Sequence, residues 1–183
     1  MIDPNKLPSR ALIDSGVLIR ALGQRAGDAR AELCKEFWAE MLSSDREILI
    51  SAPTVAEVSR HSKFPPLPIP SVRNVTVVAF DRKAAMILAE KFPEQVLRAH
   101  AGSLPIDYIR YDALILACAV RYNAILVTLD NPLSAIAIAG AAKCMKVEEF
   151  QTQLGLLFGQ TGKSPATESQ PAPTEVLEAE SVE

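Results

Sequence analysis

Apolar positions in this chain follow two rhythms that take turns from residue 11 to residue 147. Short unbroken runs (ALI at 11–13, ILI at 48–50, VTVVAF at 75–80, ILVT at 125–128) are what strands buried on both faces look like. Between them apolar side chains recur every three or four residues, as in Leu33, Phe37, Trp38 and Met41, which marks one face of a helix. The pattern predicts strands at 11–14, 47–51, 75–80, 125–128 and 144–147. It predicts helices at 17–22, 28–43, 53–61, 106–122, 133–139 and 148–158, with another from Asp81 that Pro93 breaks or restarts. Asp28, Asp81 and Asp107 are the expected N-caps of their helices, and Pro53 suits a first turn. The prolines of KFPPLPIP (63–70) rule out helix or inner strand there. Strands alternating with helices predict an α/β domain of three layers, α/β/α, around a mainly parallel central sheet.

Four acids stand at telling places in this pattern. Asp14 closes the first strand, and Asp130 follows the strand at 125–128. Glu57 lies within two turns of the start of the helix after the second strand. Asp112 opens the helix that must run antiparallel to the strand it feeds. Ligands in open parallel sheets collect beyond the carboxyl ends of the strands, so all four acids can converge on one edge. Each alone reads more plainly: an Asp after a strand is a turn or cap residue, and a lone helix Glu is a solvated acid. Together they are costly to hold against apolar runs unless something positive sits among them. An all-oxygen donor set suits Mg²⁺ or Mn²⁺, and such ions activate water against phosphate esters. Arg20 and Arg110, with Arg25 and Arg30, are candidates to hold phosphates. Tyr108 and Tyr111 are expected either to stack on unpaired bases or to pack against the core.

Charge changes this picture once it is divided along the chain. Lys and Arg number 19 against 22 Asp and Glu, but the Pro-, Ser-, Thr- and Glu-rich segment from Gly159 holds five of those acids and one base. The body at 1–158 therefore carries 18 bases against 17 acids, and 159–183 is expected to be a disordered acidic tail. No apolar run reaches the length of a membrane span, and MIDPNKLPSR lacks the organisation of a signal peptide, so a cytoplasmic protein is expected. Cys34, Cys118 and Cys144 are widely spaced in apolar surroundings and read as reduced core residues.

The segments ALIDSGVLI, APTVAEVSR, YDALILACAVRYNAILVTLD and KVEEF together resemble the PIN domain family, in particular its small VapC-like toxin nucleases, over roughly residues 8–158. The resemblance implies that Asp14, Glu57, Asp112 and Asp130 are the metal-binding and catalytic quartet of a Mg²⁺- or Mn²⁺-dependent ribonuclease. It implies that Thr128 and Ser15 supply supporting hydroxyls, that the products are a 5′-phosphate and a 3′-hydroxyl, and that the protein pairs as a homodimer. A small antitoxin whose tail enters the acidic site is the implied partner. Two features depart from the family pattern. Gly16 stands where a polar residue is common, and the proline-rich stretch and acidic tail are additions.

Other phosphate chemistries fit less well. A haloacid-dehalogenase-type phosphatase needs an Asp where Gly16 stands; there is no G-x-G for a dinucleotide fold, no P-loop, and no G-x-S-x-G. With two histidines, His61 and His100, a Ser–His–Asp hydrolase has little support. The alternative from another class is a PIN-like binding or scaffold module with weak catalysis, which Gly16 and the tail favour and the intact quartet opposes. A nuclease for structured DNA would need a helix-hairpin-helix or arch that the sequence lacks.

Overall fold

In the computed structural model, residues 1–23, 27–60 and 73–152 are described. The proline-rich 63–70, His61, Arg25 and the acidic tail lie outside them. The described chain runs β1 (Arg10–Ile13), α1 (Ser15–Leu22), α2 (Ala29–Ser43), β2 (Glu47–Ser51), α3 (Ala52–Arg60), β3 (Val75–Val78), α4 (Arg82–Lys91), α5 (Glu94–His100), α6 (Ile106–Arg121), β4 (Ile125–Thr128), α7 (Asn131–Ala139) and β5 (Cys144–Lys146). Apart from the last expected helix, the expected strands and helices form, with ends moved by a residue or two, as caps and strand termini ordinarily allow.

All strand pairs are parallel, in the order β3-β2-β1-β4-β5. The helices cover both faces, giving the three-layer α/β/α fold. Alternation along each strand divides the core. Leu12, Leu49 and Leu126 point to the side packed by α4–α7, while Ala11, Ile13, Ile48, Ile50 and Val127 point to the side packed by α1, α2 and Val58 of α3. That is why the strands read as unbroken apolar runs.

Helix starts follow local chemistry. Asp28 accepts from the N–H groups of Arg30 and Ala31, Asp81 from Ala84, and Asp130 from Leu133, each cap contributing about 1 kcal/mol. Asp107 does not cap α6. Pro105 occupies that position, and Asp107 sits in the first turn, where its carboxylate pairs with Arg110 at 2.9 Å. The helix expected at 148–158 is also corrected where the structure describes it. Val147–Phe150 is a single 3₁₀ turn, and Gln151 then extends to bridge Ile2 in antiparallel fashion. Phe150 is instead a buried anchor stacked on Phe37, ring centroids 5.1 Å apart. Residues 153–158 of that helix lie outside the described part. Among the described residues no helix is long and apolar enough to cross a membrane.

Candidate active site

The site follows from strand order and register. The chain leaves β1 toward β2 and β3 on one side and returns on the other to β4 and β5, so a crevice opens between the carboxyl ends of β1 and β4. Ile13 pairs with Val127 in that register, which sets Asp14 beside Thr128 one residue later. The backbone N–H of Asp14 donates to the Val127 carbonyl at 3.0 Å and extends the ladder into the site.

Asp14 occupies the N-cap position of α1 yet makes no side-chain cap bond, unlike Asp28, Asp81 and Asp130. Its carboxylate turns inward instead. Oδ2 accepts the Thr128 hydroxyl at 2.8 Å, and Oδ1 accepts the Ser15 hydroxyl at 3.3 Å. Thr128, fully buried, also accepts the Asp130 N–H at 3.0 Å, so one hydroxyl spans both acids. Burial pushes the Asp14 carboxyl up to about 6. The Thr128 hydroxyl pulls it back down, and the charges of Glu57 and Asp130 add to the rise.

Asp112 enters from the second turn of α6 and Glu57 from α3. Burial, then repulsion from Asp14, Asp130 and Glu57, lifts the Asp112 carboxyl to about 8. The four acids, from four separate segments, therefore feel one another's charge at a single edge. Oε2 of Glu57 is buried and takes no hydrogen bond among the described residues, an unusual state for a carboxylate oxygen. Tyr111 ties the two helices by donating to the Pro53 carbonyl at 2.6 Å. Among the described residues no three His, Cys, Asp or Glu side chains form a ready-made ion cage. The acids face one crevice without closing on a point.

The two arginines expected at the substrate part company. Arg20 bends back along α1, its Nη1 donating to the Gly16 carbonyl at 3.0 Å. A Cβ on Gly16 would lie 3.4 Å from Oδ2 of Asp14 and 3.6 Å from that Nη1, so the bare glycine leaves the guanidinium beside the acidic edge. Arg110 is committed elsewhere. It donates to both oxygens of Glu94 and to Asp107, faces the α4–α5 side, and has no part in the crevice. Arg60, unmentioned by the sequence pattern, stands near Glu57 and Tyr111. Its spacing of three from Glu57 on one helix was the available signal.

Solved structures share the fold. FitAB bound to an IR36 DNA fragment superposes with TM-score 0.54 at 16% identity, over 78% of this chain and 99% of that one. FitAcB from Neisseria gonorrhoeae gives 0.52 at 18%, over 75% and 98%. No curated protein matches the sequence. The PIN domain model matches residues 11–139, from the first strand through α7, and so takes in all four acids: the chain belongs to the PIN domain family.

Proposed function

We propose that this PIN domain is a divalent-metal-dependent endoribonuclease that hydrolyses phosphodiester bonds in single-stranded or looped RNA. The observation that carries the reading is the set of four acids from four segments at one sheet edge, one with a buried oxygen that takes no hydrogen bond among the described residues. A donor set of oxygens alone fits Mg²⁺ or Mn²⁺, and Asp14, Glu57, Asp112 and Asp130 are the residues that would hold the ion. When bound, such an ion supplies Lewis acidity toward a phosphodiester oxygen and lowers the pKa of water.

The chain's own residues supply the rest. Thr128 and Ser15 fix the Asp14 carboxylate, and the α7 cap bond fixes Asp130, so two of the four acids are oriented before anything binds. Asp112, on a helix start tied by Tyr111 to α3, holds a proton near neutral pH and releases it where positive charge arrives. The family resemblance further supports a homodimer in the cytoplasm and a small antitoxin partner whose tail enters the acidic crevice.

The test is cleavage of a mixed single-stranded RNA pool with Mn²⁺ or Mg²⁺ and with chelator, comparing wild type and Asp112→Asn. Metal-dependent cutting that the variant loses is expected. One observation favours the second reading, a binding module of the same fold: the carboxylates are not closed into a cage. No cutting together with no Mn²⁺ binding would move the assignment there.

A further inference from the structure

Beside the acids, between α3 and α6, lies a cleft of about 290 Å³ lined by Glu57, Arg60, Asp107, Tyr108, Tyr111 and Asp112. Helix geometry makes it. On α6, Tyr108 stands three residues before Tyr111 and four before Asp112, so the three share a face. On α3, Glu57 and Arg60 do the same. The two tyrosines have different surroundings. Tyr111 is half-buried and spends its hydroxyl on Pro53, whereas Tyr108 is 67% exposed and its hydroxyl makes no hydrogen bond among the described residues. This large exposed aromatic, at a cleft that two site acids also line, belongs to neither hydrophobic core among the described residues. Arg60 makes no ion pair among the described residues, and Asp107 at the rim is already matched by Arg110.

We infer that this cleft is a base-binding subsite for single-stranded RNA, in which the Tyr108 ring stacks on one unpaired nucleobase and Arg60 holds an adjoining phosphate. The inference rests on the nuclease reading for its neighbouring scissile bond and names the substrate feature that the site selects. The cleft is at the small end of ligand sites, a size that suits one planar ring system. Only an unpaired base can present its face to an aromatic ring there. Tyr108 thereby determines specificity for unstacked RNA; Tyr111, tied to Pro53 of α3, lines the cleft beside Glu57 and Asp112.

The experiment uses the full chain and a fluorescent 12-nucleotide RNA carrying one 2-aminopurine or one abasic position, walked along the strand. Anisotropy is read in chelator, and cleavage in Mn²⁺. In the wild type, one position shows 2-aminopurine quenching, and an abasic site there weakens binding. Tyr108→Ala weakens binding of the intact strand about tenfold to a hundredfold, removes the quenching and abolishes the abasic penalty. Tyr108→Trp restores all three. Arg60→Gln weakens binding of every sequence alike and flattens its salt dependence. Cutting in Mn²⁺ with Tyr108→Ala binding and cutting like wild type would overturn the subsite and leave the nuclease reading standing. Tyr108-dependent binding with no cutting in Mn²⁺ would do the reverse. Absence of both would sink the two together.

Discussion

Thr128 shows how much one hydroxyl can decide at the scale of a residue. It donates to Asp14 and accepts from the backbone of Asp130 in a fully buried position. Thr128→Val keeps the shape but leaves a buried carboxylate oxygen and a backbone N–H without partners. We expect a loss of about 1–3 kcal/mol in urea unfolding and Mn²⁺ affinity weaker by about 10–100-fold in titration calorimetry. The acids themselves predict a pH dependence. Burial and mutual repulsion raise Asp14 to about 6 and Asp112 to about 8, so the fold binds more protons than the unfolded chain between their ordinary values and these. Stability must then fall as pH rises from about 4 to 8. In chelator, Asp112→Asn should melt above wild type at pH 8 and level with it at pH 4, each kcal/mol relieved giving about 2–4 °C. A variant that melts below wild type at pH 8 would contradict the raised carboxyl.

At the scale of elements, the close approach of α7 to the α4–α5 junction sets the second constraint. Gly140 has ordinary negative φ, yet a Cβ there would clash with the ring edge of Phe92, which is itself buried. Gly140→Ala should therefore cost about 1–3 kcal/mol by overpacking. Phe92→Leu in the same chain should recover part of that loss, a coupling readable in a double-mutant cycle. Caps and apolar rhythm made most elements legible in the sequence, because a capping Asp and a three- to four-residue spacing act within a turn or two. Of the two element readings that failed, one turned on neighbours within a turn and the other on contacts far along the chain. Asp107 resembled a cap, but Pro105 holds that position and Arg110 claims the carboxylate. The stretch from Glu148 resembled a helix start, but Phe150 is drawn onto Phe37 of α2 and the next residue extends to Ile2.

Across the whole molecule, ion binding and folding are linked, since an ion that binds only the folded crevice stabilises it by mass action. Mn²⁺ in excess should raise the melting temperature by several degrees, most at high pH where Asp112 gives up its proton. Asp14→Asn and Asp130→Asn should each abolish that rise, and an amide in place of the Asp130 carboxylate can still cap α7. An unchanged shift in both variants would place the ion elsewhere. Local pattern was enough to dictate the alternation of strand and helix, the acids at the element ends and the helices that carry them, because hydrophobic period and capping act over a few residues. What those residues do together came from folding in three dimensions. Strand order opened the crevice between β1 and β4, and register set Asp14 beside Thr128. Helix packing sent Arg110 to Glu94, turned Tyr111 to Pro53 and left Tyr108 exposed. Those outcomes depend on pairings across tens of residues, and local sequence patterns carry no term for them.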